Sequence, residues 1–150
     1  MTELTPTTPE LTPEADDNIR TVEGFLYALQ DQDFEAIDAV FHDNLVYENV
    51  GLSRIRGGRR TAKLLRSMEG RIAFEVKVHR IAADGTAVLT ERTDALILGP
   101  LRIQFWACGI FEVHDGQITL WRDYVDVYDM LKGFGRGLAG IVIPSLRATL

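Results

Sequence analysis

The chain has 150 residues and a formal net charge of −6 at pH 7, long enough for one domain with its own core and too acidic to favour nucleic acid as a partner. Cys108 is the only cysteine, which excludes an internal disulfide and gives no sign of an oxidising compartment. A cytoplasmic protein is therefore expected.

Met1 to Asp17 is rich in Thr, Pro and Glu and has neither a basic start nor an apolar run. It reads as a disordered tail and not as a secretory signal, leaving residues 18–150 as the single folded domain. From Asn18 the apolar residues Ile19, Val22, Phe25, Leu26 and Leu29 recur at helical spacing, with Asp16 or Asp17 placed to cap the start. A second short helix, about Asp33 to Phe41, follows the break at Gln30-Asp31-Gln32 and completes a helical hairpin.

Leu45 to Asn49 then reads as a short strand with Tyr47 and Asn49 on one face. A loop through Gly51 and Gly57-Gly58, carrying the basic run Arg54 to Arg60, leads into a helix near Arg59 to Glu69. That run has no interleaved aromatics and reads as a solvated loop.

The remainder is mostly sheet. Ile72, Phe74, Val76 and Val78 alternate with more polar neighbours, the period of a half-buried strand. Turns at Ala83-Asp84-Gly85, Gly99-Pro100 and Asp115-Gly116 separate strands Thr86 to Leu98, Leu101 to Val113 and Gln117 to Val127. Such short loops between strands predict an antiparallel meander, and helices followed by sheet predict an α+β domain. Cys108 is expected to pack inside its strand. The apolar C-terminal segment, residues 129–150, is interrupted by Gly133, Gly135, Gly137 and Gly140. It is too short to span a bilayer, reads as a final helix or irregular segment over the sheet, and its glycines are expected to loosen it.

Two polar clusters interrupt the apolar strands, Glu91-Arg92-Thr93-Asp94 and Trp121-Arg122-Asp123-Tyr124-Val125-Asp126. Alternation puts Arg92 and Asp94 on one face and sets Asp123 with Trp121, Val125 and Val127, so an arginine between two aspartates is the expected pairing. Arg122 and Asp126 fall on the opposite face and read as a structural ion pair or an interface contact. His42, His79 and His114 lack metal-ligand spacing, and no nucleophile elbow, Walker loop or dinucleotide fingerprint follows a strand. Neither metal nor cofactor is expected. What remains is carboxylate chemistry, one aspartate protonated and the other ionised, against the plainer reading of a buried ion network that fixes strand register.

The set Tyr47-x-Asn49, Glu91-Arg92-x-Asp94 and Trp121-Arg122-Asp123-Tyr124-x-Asp126 resembles the limonene-1,2-epoxide hydrolase family over roughly Ile19 to Tyr128. The resemblance implies a curved, cone-like mixed sheet packed against N-terminal helices, the scaffold of ketosteroid isomerase and scytalone dehydratase. It implies one-step hydrolysis of a lipophilic epoxide to a vicinal diol, with water as the other substrate. In that scheme Asp123 is the general base, Tyr47 and Asn49 hold the water, Asp94 is the general acid, and Arg92 bridges the carboxylates. It also implies a homodimer. An isomerase or cyclase on the same scaffold and a non-catalytic lipophilic-ligand binder are the alternatives, both less suited to a complete acidic pair. Leu96, Leu98, Phe105, Trp106 and Phe111 are the expected pocket lining.

Overall fold

The computed structural model describes residues 11–150, so most of the expected tail, residues 1–10, lies outside the described residues. Helix α1 spans Pro13–Asp31, and the Thr12 hydroxyl accepts from the Ala15 amide at 3.2 Å. The start is thus earlier than the apolar spacing indicates. Thr-Pro is itself a helix opening, because the side-chain oxygen caps a free amide and proline fits the first turn. Pro13 to Asp17 therefore belongs to the helix, and Thr12 takes the capping place expected of Asp16 or Asp17. Asp33 caps α2, Phe34–Val40, and Phe41 already opens the first strand.

Six strands form one mixed sheet in the order β2-β1-β6-β5-β4-β3. They are β1 Phe41–Asn49, β2 Ser53–Arg56, β3 Ala73–Asp84, β4 Ala87–Leu98, β5 Leu101–His114 and β6 Gln117–Val125. Helix α3, Gly58–Ser67, lies between β2 and β3. The antiparallel meander β3 to β6 is as the turns indicate, but β2 was expected to be loop. It forms by pairing with β1, where Glu48 faces Arg54.

The strand that completes the site is β1, which runs parallel to β6 with Tyr47 beside Trp121 and Asn49 beside Asp123. Two rows of inward side chains follow from the registers. One runs Val88, Phe111, Trp121, Tyr47, and the next runs Thr90, Gly109, Asp123, Asn49. Irregularities at Val78/Arg80 and Glu112/Val113 break the ladders and bend the strands locally. The core beneath is apolar, with Val22, Phe25 and Leu26 of α1 packed with Leu45, Val88 and Phe111 of the sheet.

β6 ends at Val125, not at Val127. Asp126 caps α4, Val127–Val142, its carboxylate accepting from the Tyr128 amide at 2.8 Å and the Asp129 amide at 3.2 Å. It therefore makes no pair with Arg122, which instead meets Glu48 at 3.1 Å on the outer face, where Glu48 also meets Arg54 at 3.1 Å.

β5 pairs with β6 only from Ala107 onward. Helix α4 covers the stretch before it, and the Asp129 carboxylate accepts from the Trp106 amide at 2.9 Å. A Cβ at Gly133 or Gly137 would run into the carbonyl of Gln104 or Arg102. These glycines seat the helix against a strand backbone and do not loosen the segment. A short 3-10 turn, Pro144–Leu146, follows. Among the described residues no helix is long and apolar enough to cross a membrane.

Candidate active site

β4 turns Thr90, Arg92 and Asp94 inward at alternate positions. Arg92 is 1% exposed, and each of its three guanidinium nitrogens is engaged. Nε donates to both oxygens of Asp94 at 2.9 and 3.0 Å, Nη2 to Asp123 Oδ1 at 2.7 Å, and Nη1 to Thr90 Oγ1 at 3.1 Å. Burying this group without partners would be costly, and a planar fork can meet several acceptors where an ammonium cannot. Among the described residues no buried side-chain nitrogen or oxygen lacks a hydrogen bond.

Asp123 stands on β6, its second oxygen accepting from Trp121 Nε1 at 3.0 Å. The indole is fixed by aromatic neighbours. Tyr47 stacks on it at 4.0 Å between centroids, and Phe25 meets it edge-on at 4.9 Å. Asn49 Nδ2 donates to the Tyr47 hydroxyl at 2.8 Å, leaving the phenolic proton and the Asn49 carbonyl oxygen for a third party. The structure thus brings together Tyr47, Asn49, Asp94 and Asp123 on the wall of one cavity, with Arg92 behind the two carboxylates.

The two charges of the carboxylates share one cation. Burial pushes the Asp94 carboxyl up to about 6, more than Arg92 draws it down, and the Asp123 charge adds to the rise. Burial also raises the Tyr47 hydroxyl above its ordinary value, opposed by the Asn49 hydrogen bond. For Arg92, burial acts against the charged form, but Asp123 and Asp94 outweigh it and the guanidinium is held charged.

The cavity encloses about 290 Å³ and is walled mainly by hydrocarbon. Leu96 and Phe105 line it as expected, joined by Leu29 of α1, Leu64 and Leu65 of α3, and Met130 of α4. The other three expected lining residues do not. Phe111 is fully buried in the core, while Leu98 and Trp106 are exposed, Trp106 on the opposite face of β5. Cys108 shares that outer face and is half-buried, so it does not pack inside. Glu91 and Thr93 also point outward, to Arg80 and His79.

Two residues of the site have roles that the motifs do not show. Among the described residues Thr90 carries the only acceptor for Arg92 Nη1, and its signal is the two-residue step that also relates Arg92 to Asp94. Trp121 was expected only as an apolar companion of Asp123, whereas its N–H holds the carboxylate. No cluster of His, Cys, Asp and Glu among the described residues has the arrangement of a metal site.

An α+β fold whose mixed sheet and helices close around an apolar cavity, with a bridged carboxylate pair on its wall, defines a scaffold suited to acid and base work on a lipophilic molecule. Residues 16–136 match the limonene-1,2-epoxide hydrolase catalytic domain. A curated relative, epoxide hydrolase EphG of Mycobacterium tuberculosis, is 71% identical over 150 residues, covering 100% of both chains. A solved M. tuberculosis epoxide hydrolase of the same kind superposes with a TM-score of 0.92 at 71% identity, over 93% of this chain and 99% of that one. A protein of ketosteroid isomerase-like fold from Catenulispora acidiphila gives a TM-score of 0.67 at 16% identity, over 86% and 95% of the chains, a likeness of fold alone. The chain belongs to the limonene-1,2-epoxide hydrolase family, and it is an epoxide hydrolase.

The Asp94 environment has a consequence for stability. Its folded value of about 6 lies above the ordinary 3.8, so the folded chain holds this proton more tightly than the unfolded one. The resulting stabilisation is full below about pH 4 and is lost as pH rises through about 6. Asp94→Asn lacks this loss, so between about pH 4 and 7 its stability should shift upward relative to the native chain. Urea unfolding of both at several pH values checks this, and parallel pH profiles would contradict the assignment.

Proposed function

We propose that the cavity binds a lipophilic epoxide and that Asp123, Asp94, Arg92, Tyr47 and Asn49 hydrolyse it in one step without a covalent intermediate. The observation that carries this reading is the single arginine bridging two carboxylates at the wall of an apolar cavity, with one carboxyl raised to about 6.

Asp123, ionised, takes a proton from a water held by the Tyr47 hydroxyl, the Asn49 carbonyl oxygen and the aspartate itself. The water oxygen attacks an epoxide carbon as the carbon–oxygen bond of the ring breaks, and Asp94 gives its proton to the departing oxygen. Before the step Asp94 is neutral and Asp123 charged; after it the two have exchanged roles. One proton returned through solvent resets the pair. Arg92 faces one negative charge throughout, so the buried site stays electrically balanced while charge crosses it. The hydrocarbon walls excuse the substrate from polar recognition and fit a lipophilic epoxide to the acid–base pair.

The single cysteine favours work in the cytoplasm. A homodimer is the assembly this reading adopts. Its support is apolar surface away from the cavity, with Trp106 and Tyr124 exposed on the outer face of β5 and β6 and Leu131, Phe134 and Leu138 exposed on α4. Light scattering at micromolar concentration should give twice the chain mass, and a single-chain mass would rule it out.

Asp123→Asn keeps the volume but cannot take the water proton, so diol formation should fall by at least about a thousandfold while the fold survives. The kcat/KM profile of the native enzyme should fall as pH rises through about 6, because the acid form of Asp94 is the one that works. Near-native turnover by Asp123→Asn would remove it from the base role, and a rate that keeps rising through pH 6 would remove Asp94 from the acid role.

A further inference from the structure

The row of inward positions on which Asp123 stands contains a gap. Gly109 lies between Thr90 of β4 and Asp123 of β6, paired with both across the sheet. It sits in the interior of a strand, where glycine costs stability and packs nothing. Its backbone is ordinary extended strand, so conformational freedom does not explain it. Space does. A Cβ at this position would collide with Nη1 of Arg92 and would also stand 2.9 Å from Asp123 Oδ1 and 2.9 Å from Thr90 Oγ1.

We propose that Gly109 and Thr90 form a slot that sets the plane of the Arg92 guanidinium, making both positioning residues for the hydrolysis. Gly109 supplies the volume, and Thr90 supplies the third anchor. The Thr90 hydroxyl donates to the Gly109 carbonyl at 3.4 Å, which turns its lone pairs to Arg92 Nη1 at 3.1 Å. With Nε on Asp94 and Nη2 on Asp123, each nitrogen of the guanidinium then has its own acceptor. Three anchors on a rigid plane leave it no rotation. Two would let it tilt and lengthen one carboxylate contact at the expense of the other. A misplacement of about 1 Å at a bridge of this kind is enough to cost rate.

This inference rests on the proposed division of labour between Asp94 and Asp123. A merely structural role for Gly109 and Thr90 would lower stability without touching chemistry. The charged and titratable groups facing Asp94 are Arg92 on its own strand, Asp123 on β6 and Tyr47 on β1. Arg92 alone among them draws the Asp94 carboxyl downward, so a looser guanidinium moves the basic limb of the rate profile to higher pH.

The test compares Gly109→Ala, Thr90→Val, Thr90→Ser and Arg92→Lys by steady-state diol formation from an epoxide that the native enzyme turns over, across pH. Gly109→Ala and Thr90→Val should each lower kcat by roughly tenfold or more with KM within about twofold, and should move the basic limb upward. Thr90→Ser retains the acceptor and should restore both. If Gly109→Ala fails to fold by circular dichroism, the threonine pair decides alone. Equal rates in Thr90→Val and Thr90→Ser, or a lowered melting temperature with native kcat and native pH profile, overturn the slot. Full activity in Gly109→Ala and Thr90→Val beside an inactive Arg92→Lys would defeat the slot and leave the acid–base reading standing. An active Arg92→Lys would defeat that reading itself.

Discussion

One buried cation faces two carboxylates, and the rest of the molecule is arranged around that inequality. Arg92 can neutralise one negative charge, and burial raises the Asp94 carboxyl to about 6, so that below about that pH Asp94 holds a proton. In the proposed mechanism the division into acid and base follows from counting charges in a dry place. It also explains why the network is guarded so heavily. Removing one partner of a buried ion pair leaves a bare charge and typically costs about 3–5 kcal/mol.

The fold serves this cluster in two ways. The sheet supplies precision, because side chains two positions apart on β4 and on β6 share a face and the antiparallel registers bring the two strands to either side of β5. Parallel pairing of β1 with β6 then delivers Tyr47 and Asn49 next to Trp121 and Asp123. The helices supply dryness. Leucines of α1 and α3 and Met130 of α4 close hydrocarbon over the polar wall, and that exclusion of water strengthens each charge interaction inside.

Much of the site could be read from spacing because β alternation is a rigid rule. Arg92-x-Asp94 and Trp121-x-Asp123 show their common faces directly, and buried charge in an apolar strand calls for a partner. The pairing of β1 with β6 could not be read that way, since 67 residues separate Asn49 from Gln117 and no turn connects them; the resemblance of the motifs implied only that Tyr47 and Asn49 meet Asp123 at a water. Local signals misled where one cue outweighed another. The apolar period of α1 drew attention from its Thr-Pro opening, and four glycines in the last segment read as looseness although two mark close approach to a strand backbone. Trp106 failed as lining because hydrophobicity does not reveal which face of a sheet meets the cavity, whereas Phe111 faces inward but lies in the apolar core and Leu98 ends its strand exposed. Glu48, between Tyr47 and Asn49, faces outward and ties β2 and β6 together through Arg54 and Arg122.

The central claim is that Asp123 activates water and never bonds to the substrate. A single turnover in heavy-oxygen water, with enzyme in excess over epoxide, separates the two possibilities by mass. Direct attack by water places the label in the first diol and leaves the protein unlabelled, which is the outcome expected here. A nucleophilic carboxylate would give its own oxygen to that first diol and take up the label when its ester is hydrolysed. Unlabelled first-turnover diol, with heavy oxygen in the peptide carrying Asp94 or Asp123, would contradict the account.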